Sequence, residues 1–241
     1  MMRCGSNFVI AILVVITMAV STRASDIAVL AAVDSELETL KKQGDLVGQS
    51  LAFAGRPVYQ ARFDGQPALL TKTGSSPEAV APMIHWLVED RHVGAVVSIG
   101  PAGALTDDMA IGEVVTVQKA VRDGNASSNS PWVLTSLMQC PVKPVGTVVT
   151  VGMFVAESGE RARLRTTYHA DLVDMSAAVI AEECVSHHVP CVLIRQITDR
   201  ADRDAPRDFS EAVGSKHPLT IPGALCALQQ LAAILKIKAS S

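Results

Sequence analysis

A strand-like segment near the carboxyl terminus ends in charged side chains. Residues 191–202, CVLIRQITDRAD, begin as an apolar run that continues through Ile197 and is followed by Asp199. A strand of this kind is either leaving the core or placing a carboxylate in a site. Asp199 is therefore a candidate for a site residue, and the alternative, a helix-capping carboxylate at the end of the strand, stays open at this point.

A second carboxylate follows the first predicted strand. Residues 26–33, DIAVLAAV, form a continuous apolar run, as expected of a strand covered on both faces. Glu36 comes next, in DSELETLKK, which predicts a helix with Asp34 or Ser35 as its cap. Ligands of α/β folds bind outside the carboxyl ends of strands, so both carboxylates are expected near the site.

The elements that must position these carboxylates alternate between strand and helix. Apolar runs predict further strands at 93–100, 111–121, 146–156, 170–175 and 189–198. Helical patterns fall at 76–92, 159–168, 176–188 and 219–238, a hairpin turn at 64–65, and a polar surface loop at 122–145. This alternation predicts an α/β fold: a single domain over residues 25–241 with a central, mostly parallel (mixed) sheet flanked by helices.

Composition excludes one class of partner. The formal net charge is −3, aromatic residues make up 4% of the chain, and no stripe of basic residues appears. Nucleic-acid binding needs clustered Lys and Arg for the phosphates or aromatic platforms for the bases, so we do not expect it.

The amino-terminal segment has the pattern of a secretory signal peptide. Arg3 precedes an apolar run from Phe8 to Val20, and small residues lead to a cleavage position after Ala24. The run is short for a bilayer span, and an uncleaved membrane anchor is the alternative interpretation. We therefore predict a signal peptide over residues 1–24, export to a periplasm or out of the cell, and no stable membrane association after cleavage.

Four cysteines follow this segment: Cys140, Cys184, Cys191 and Cys226. Export permits disulfides, but the spacing fits no zinc motif and does not determine a pairing. Cys184 and Cys191 lie in apolar segments and are expected to be buried as small hydrophobic residues. No metal site and no cofactor are predicted.

Four segments, in order, resemble the nucleoside phosphorylase/nucleosidase superfamily, and within it the 5′-methylthioadenosine/S-adenosylhomocysteine nucleosidases. They are IAVLAAVDSELETL, VVSIGPAGALTDDMAIGEVV, FVAESGERARLR and LVDMSAAVIAEECVSHHVPCVLIRQITDRAD. The resemblance covers nearly all of the chain after the signal segment. It implies that family's fold, cleavage of the N-glycosidic bond of a purine nucleoside, a small-molecule nucleoside or nucleobase as ligand, and a homodimer with the site near its interface.

The resemblance also implies roles for individual residues. Asp199 matches the aspartate that donates a proton or hydrogen bond to purine N7, and Glu36 matches the glutamate that activates water. Arg195 matches an arginine that supports the site. In the substrate pocket, Ala102 and Gly103 would let the backbone approach the ligand, Phe154 would stack on the purine, Val155 would present its backbone to the base edge, and Met175 would pack beneath the sugar.

The position after Met175 departs from the family pattern. The superfamily carries Met-Glu, whose glutamate holds the sugar hydroxyls, whereas this chain has Met175-Ser176. A serine cannot grip two vicinal hydroxyls in the same way, and losing a charge-assisted hydrogen bond costs about 1.5–3 kcal/mol. Four explanations stay open: a different nucleoside or a deoxy sugar, compensation by Asp174, Ser176 as a helix N-cap, or a site that binds a ligand without turnover.

Three functions are compatible with these features. The first is an exported purine nucleosidase. The second is a catalytically diverged nucleoside- or nucleobase-binding or storage protein on the same fold. The third, a nucleoside phosphorylase, is disfavoured because AAVDSELE carries no arginine where the phosphorolytic relatives have a phosphate-binding loop.

Overall fold

The computed structural model describes residues 26–74, 77–125, 128–129, 140–214 and 218–240. The predicted signal peptide lies outside these ranges, as do residues 130–139 of the predicted surface loop. None of the helices in the described part is both long and apolar enough to cross a membrane.

The strands, in chain order, are β1 (Ile27–Ala31), β2 (Asp45–Leu46), β3 (Leu51–Phe53), β4 (Arg56–Phe63), β5 (Gln66–Lys72), β6 (Ala95–Ala104), β7 (Val114–Arg122), β8 (Ser128–Asn129), β9 (Lys143–Thr150), β10 (Leu172–Asp174) and β11 (Cys191–Asp199). The helices are α1 (Asp34–Gln43), α2 (Pro77–Glu89), α3 (Ser158–Tyr168), α4 (Ala177–Ser186), α5 (Ala205–Val213) and α6 (Ile221–Ser240).

Within the described residues, these eleven strands form one mixed sheet. Its centre is parallel, in the order β5-β1-β6-β11, and antiparallel partners extend it through β4 beside β5 and β7 beside β11. β10 pairs with both β9 and β6, so β6, β11, β7, β9 and β10 close into a ring. Closure leaves these strands without free edges and fixes the ends of β6, β10 and β11 relative to one another.

Helices cover both faces of the sheet because its strands alternate apolar side chains between two cores. In β1, Ala28 and Leu30 belong to the core that includes α2 and α4, whereas Val29 and Ala31 belong to the core that includes α1 and α6. The two-residue period of a strand produces this division. The predicted α/β architecture, a central mixed sheet flanked by helices, is confirmed.

The ends of several elements test the sequence predictions. The 64–65 hairpin is confirmed: Asp64 and Gly65 have φ values of 48° and 79°, in the left-handed region that two-residue turns use. The predicted caps of α1 are wrong. Val33 holds the N-cap position instead, and its N–H donates to the carboxylate of Glu36 at 3.3 Å. Two strands end four or more residues from the predicted position: β6 continues past residue 100 to Ala104, and β9 stops at Thr150, before residue 156.

The helix α5 has no counterpart among the predicted elements. It follows a turn in which the carboxylate of Asp202 accepts the N–H of Asp204 at 2.9 Å, and a proline lies in its first turn. The helix is short, and only Ala205 among its residues is fully buried. Tertiary packing against β11, rather than a long apolar stripe, stabilises it.

Candidate active site

A cavity of about 140 Å³ opens where β1, β6, β10 and β11 end. The residues predicted to bind substrate all line it: Ala102, Gly103, Phe154, Val155, Met175, Ser176 and Arg195. Asp199 lines it as well. Glu36 lies instead beside a smaller cavity of about 10 Å³, which shares Val33, Pro101 and Thr198 with the larger one. The two predicted catalytic carboxyls therefore face adjoining spaces.

A β-bulge positions Asp199 at the end of β11. Ile197 pairs with Ala102 of β6 and Asp199 pairs with Gly103, so Thr198 is the extra residue between them. Bulges bend a strand and change the direction of its side chains. This irregularity explains how a buried core strand delivers its last side chain to the cavity.

Burial raises the pKa of Asp199 above its ordinary value of 3.8. Desolvation of the carboxyl is the largest cause. The hydroxyl of Thr198 donates to one oxygen at 2.8 Å and the N–H of Ala201 donates to the other at 2.9 Å, and both bonds oppose the shift. Asp199 thus has the environment expected of a general acid.

Gly103 provides room for this carboxylate. A Cβ on Gly103 would lie 2.7 Å from Oδ1 of Asp199, 3.1 Å from Cβ of Ala201 and 3.2 Å from Cγ1 of Val173. The sequence predicted that Ala102 and Gly103 allow a close approach of the ligand. Both line the cavity, but the space that a side chain at Gly103 would occupy is filled by Asp199.

Glu36 is buried, and protein donors hold its carboxylate. Oε2 accepts the N–H groups of Ala32 at 3.1 Å and Val33 at 3.3 Å, and Oε1 accepts the hydroxyl of Thr220 at 2.9 Å. Desolvation raises the pKa of Glu36 above its ordinary value of 4.5, while these bonds and the charge of Arg195 act in the opposite direction. An ionised carboxylate with a raised pKa is a stronger base toward water.

Asp174 and Arg195 form a buried ion pair. Oδ2 of Asp174 accepts Nε–H of Arg195 and the N–H of Ala177, each at 2.9 Å. Oδ1 accepts the hydroxyl of Thr150 at 2.6 Å and the N–H of Ser176 at 3.3 Å. The carboxylate is therefore committed to protein donors, and the explanation that Asp174 replaces the family glutamate as the sugar's acceptor is wrong.

Ser176 occupies the N-cap position of α4, but its hydroxyl makes no capping hydrogen bond. The first N–H groups of the helix are satisfied by other side chains. Asp174 accepts from Ala177 at 2.9 Å, and Oγ1 of Thr150 accepts from Ala178 at 2.8 Å. The explanation of Ser176 as a capping side chain is therefore wrong, and its hydroxyl is available to the cavity that it lines.

An aromatic pair stands at the cavity. Phe154 and Val155 lie in the connection between β9 and α3, not in a strand as predicted. Phe154 is 43% exposed, and its ring packs edge-on against Phe209 of α5 with 5.4 Å between centroids. Neighbouring Met153 is 80% exposed. The loop thus presents apolar surface to the cavity and to solvent together.

Three residues at the site were not predicted from the sequence. Thr198 and Thr220 donate hydroxyls to the two buried carboxyls, and Phe209 packs on Phe154. Thr198 directly precedes Asp199, and this adjacency is the signal that could have indicated it. Thr220 is 184 residues from Glu36, and Phe209 lies in the unpredicted α5, so neither has a local signal.

Across the described ranges, no cluster of three or more His, Cys, Asp or Glu side chains is arranged to hold a metal ion. Cys140 and Cys226 form a disulfide, and Cys184 and Cys191 are free and buried, as expected for the latter two.

Several known proteins resemble this chain in sequence or in fold. The 5′-methylthioadenosine/S-adenosylhomocysteine nucleosidase of Staphylococcus carnosus is 26% identical, over 78% of this chain and 92% of that protein. S-adenosylhomocysteine nucleosidase from Streptococcus pyogenes, in complex with 5-methylthiotubericidin, has the same fold: the TM-score is 0.76 at 21% identity, covering 89% of this chain and 99% of that one.

Futalosine hydrolase of Helicobacter pylori shares the fold too, with a TM-score of 0.74 at 16% identity, covering 88% of this chain and 98% of that one. A family model described as "Phosphorylase superfamily" matches residues 26–219. The protein therefore belongs to the phosphorylase superfamily, with the fold of its nucleosidases, as the four sequence segments predicted.

Proposed function

We propose that the protein is an exported purine nucleosidase, which hydrolyses the N-glycosidic bond of a nucleoside. The observation that carries the proposal is the pair of buried carboxyl groups, Asp199 and Glu36, which stand at adjoining cavities and both have raised pKa values. Nucleosidase relatives, one of them 26% identical, support the same class of reaction.

Asp199 acts on the leaving base. When the bond between the sugar carbon and the base nitrogen breaks, both electrons go to the base. A protonated Asp199 gives its proton to the base, at N7 in a purine, so that a neutral base leaves. The burial that raises the pKa of this carboxyl keeps the proton available, and the sugar develops oxocarbenium character.

Glu36 positions the attacking water. The cavity beside it has a volume of about 10 Å³, close to what one water molecule needs. As the water oxygen bonds to the sugar carbon, ionised Glu36 accepts a proton from it, and the products are the free base and the free sugar. Water is the acceptor because the segment after β1, VDSELE, carries no arginine for a phosphate.

Base release from adenosine, inosine, methylthioadenosine and their 2′-deoxy forms tests this proposal, with the chain from Asp26 onward as enzyme. We expect release that does not need phosphate and falls by about 10²–10⁴-fold in Asp199→Asn. Asp204→Asn is the matched control, because that carboxylate is exposed five residues further on and should leave release unchanged. Stimulation by phosphate would contradict hydrolysis.

A binding or storage protein is the second candidate, and the sugar end of the cavity favours it. With Ser176 in place of glutamate and Asp174 committed to the protein, vicinal ribose hydroxyls find no free carboxylate acceptor among the described residues at that end. If no nucleoside of the panel is cleaved while a base or nucleoside raises the melting temperature, binding without turnover is the function.

We also propose export. Residues 1–24 have the signal-peptide pattern, the family match begins at residue 26, and Cys140 and Cys226 form the kind of bond that persists in oxidising compartments. Mass spectrometry of the protein from cell fractions should find Ser25 as the first residue, outside the cytoplasm. A chain that keeps residues 1–24 and sediments with membranes would indicate an anchor instead.

We infer a homodimer whose interface lies beside the cavity. Met153 and Phe154 expose large apolar side chains next to the site, and such surface is typical of an interface. Light scattering should give twice the chain mass, and Met153→Glu should shift the mass toward the monomer. A monomeric wild type would contradict this inference.

A further inference from the structure

The guanidinium of Arg195 has a nitrogen without a partner. The side chain is 1% exposed; its Nε is bound to Asp174, and Nη1 lies 2.9 Å from the carbonyl of Ile194 and 3.3 Å from both oxygens of Ser98. Nη2 is buried and, within the described part of the chain, donates to no hydrogen-bond acceptor. Leaving guanidinium N–H groups unpaired is unfavourable, and Arg195 lines the cavity.

The Asp174 carboxylate at the same end of the cavity is already occupied by protein donors. Ser176 contributes a hydroxyl that makes no capping bond, and both oxygens of Asp174 are occupied by protein donors. Vicinal sugar hydroxyls would bring two more donors, each of which needs an acceptor. A group that only accepts hydrogen bonds would match both the guanidinium and the serine hydroxyl.

The short side chain of Ser176 is part of this arrangement. A glutamate at that position, as in the family pattern, would bring its own carboxylate to the sugar end of the cavity. Serine brings no carboxylate there, and Nη2 stays without a hydrogen-bond partner among the described residues. Arginine binds phosphoryl and carboxylate oxygens through charge-assisted hydrogen bonds, which are stronger than those to a neutral hydroxyl.

We propose that the cavity binds a nucleoside whose sugar carries an oxyanion, such as a phosphoryl group on the 2′ or 3′ oxygen, held by Arg195 Nη2 and the Ser176 hydroxyl. This inference rests on the proposed function, because it names the substrate class of the same site. The oxyanion serves recognition, and none of its bonds is made or broken. Asp199 keeps its role toward the base and Glu36 its role toward the water.

Calorimetric binding to the Asp199→Asn variant tests this without turnover. The ligands are adenosine, its 2′-, 3′- and 5′-monophosphates, the inosine counterparts and inorganic phosphate. We expect a 2′- or 3′-monophosphate to bind about tenfold or more tightly than the parent nucleoside and the 5′-monophosphate. Parent nucleosides that bind equally well or better would overturn the proposal, as would no binding by any purine ligand.

Inorganic phosphate distinguishes the source of the oxyanion. If inorganic phosphate alone binds as tightly as the nucleotide, the site is one for free phosphate, and the proposal of a nucleotide ligand is wrong. Base release is measured separately on the wild type. A nucleotide that binds without being cleaved would contradict the hydrolase and leave the oxyanion site standing, so the two failures are distinguishable.

Substitution at Ser176 provides the reciprocal test and spares the buried ion pair. Ser176→Glu supplies the missing carboxylate, so the preferred monophosphate should lose about tenfold or more in affinity while the parent nucleoside gains. Ser186→Glu makes the same change at an exposed position of the same helix and should alter neither affinity. Unchanged preference in Ser176→Glu would overturn the proposal.

Discussion

Asp199 and Gly103 face each other across β11 and β6, and they compete for the same space. We expect Gly103→Ala to displace the carboxylate, because the new Cβ would lie 2.7 Å from its Oδ1. Misplacement of a catalytic group by about 1 Å can lower the rate about 10²-fold, so kcat should fall by that order while the fold persists. Gly159→Ala is the control, since its Cβ would contact nothing within 4 Å in α3. Equal activities of both variants would contradict the geometry.

The charge of Asp199 should also lower the stability of the protein. A folded-state pKa raised above 3.8 means that the folded chain binds the proton more tightly, so stability falls as pH rises from about that value through the folded pKa. Asp199→Asn removes this charge, and the hydroxyl of Thr198 can turn to the carbonyl of Ala102, 3.3 Å away. We expect the variant to unfold at higher urea concentration than the wild type near neutral pH.

The greater stability of Asp199→Asn should disappear at about pH 3, where Asp199 of the wild type is mostly protonated in both the folded and the unfolded chain. Asp174→Asn is the contrasting variant, because it breaks the buried pair with Arg195 and should lose about 3–5 kcal/mol of unfolding free energy at neutral pH. Urea midpoints of the wild type and both variants, at neutral pH and at about pH 3, show whether each substitution raises or lowers stability. If Asp199→Asn is less stable than the wild type at neutral pH, burial of the Asp199 charge does not destabilise the folded chain.

At the scale of elements, the sequence predicted what depends on local pattern and missed what depends on contact. Apolar runs and turn residues located β1, the 64–65 hairpin and α4. The bulge at Thr198 has no such signal, because the pairing of β11 with β6 decides it. For the same reason, the pattern suggested a cap role for Ser176, whereas Thr150, brought from β9, takes one of the helix N–H groups.

The start of α6 connects to the site through Thr220, which acts as a positioning residue for Glu36. Thr220→Val removes a hydrogen bond that lowers the pKa of Glu36, so that pKa should rise further. Because the base must be ionised, the acidic side of the pH–rate profile should move to higher pH, with kcat about tenfold lower on that side. Thr220→Ser should restore the profile. A uniform loss at all pH values would indicate a structural role only.

At the scale of the whole molecule, the site depends on strands far apart in the chain. Glu36 follows β1, Gly103 lies in β6, Asp174 ends β10 and Asp199 ends β11. The alternation of strands and helices predicted that such ends would share an edge, and the resemblance predicted which residues form the site. Neither could predict that β10 pairs with β6 and closes the ring, because antiparallel pairing between distant strands produces no recognisable pattern in the sequence of either strand.

The disulfide acts at this same scale. Cys140 precedes β9 and Cys226 lies in α6, so their bond closes a loop of 86 residues and restricts the unfolded chain. Removing a native disulfide costs about 2–5 kcal/mol, and we expect Cys140→Ser with Cys226→Ser to lower the free energy of unfolding by that amount in urea. A reductant should destabilise the wild type equally and leave the double variant unchanged. If it leaves the wild type unchanged as well, the bond does not form, and the argument for an oxidising compartment then depends on residues 1–24 alone.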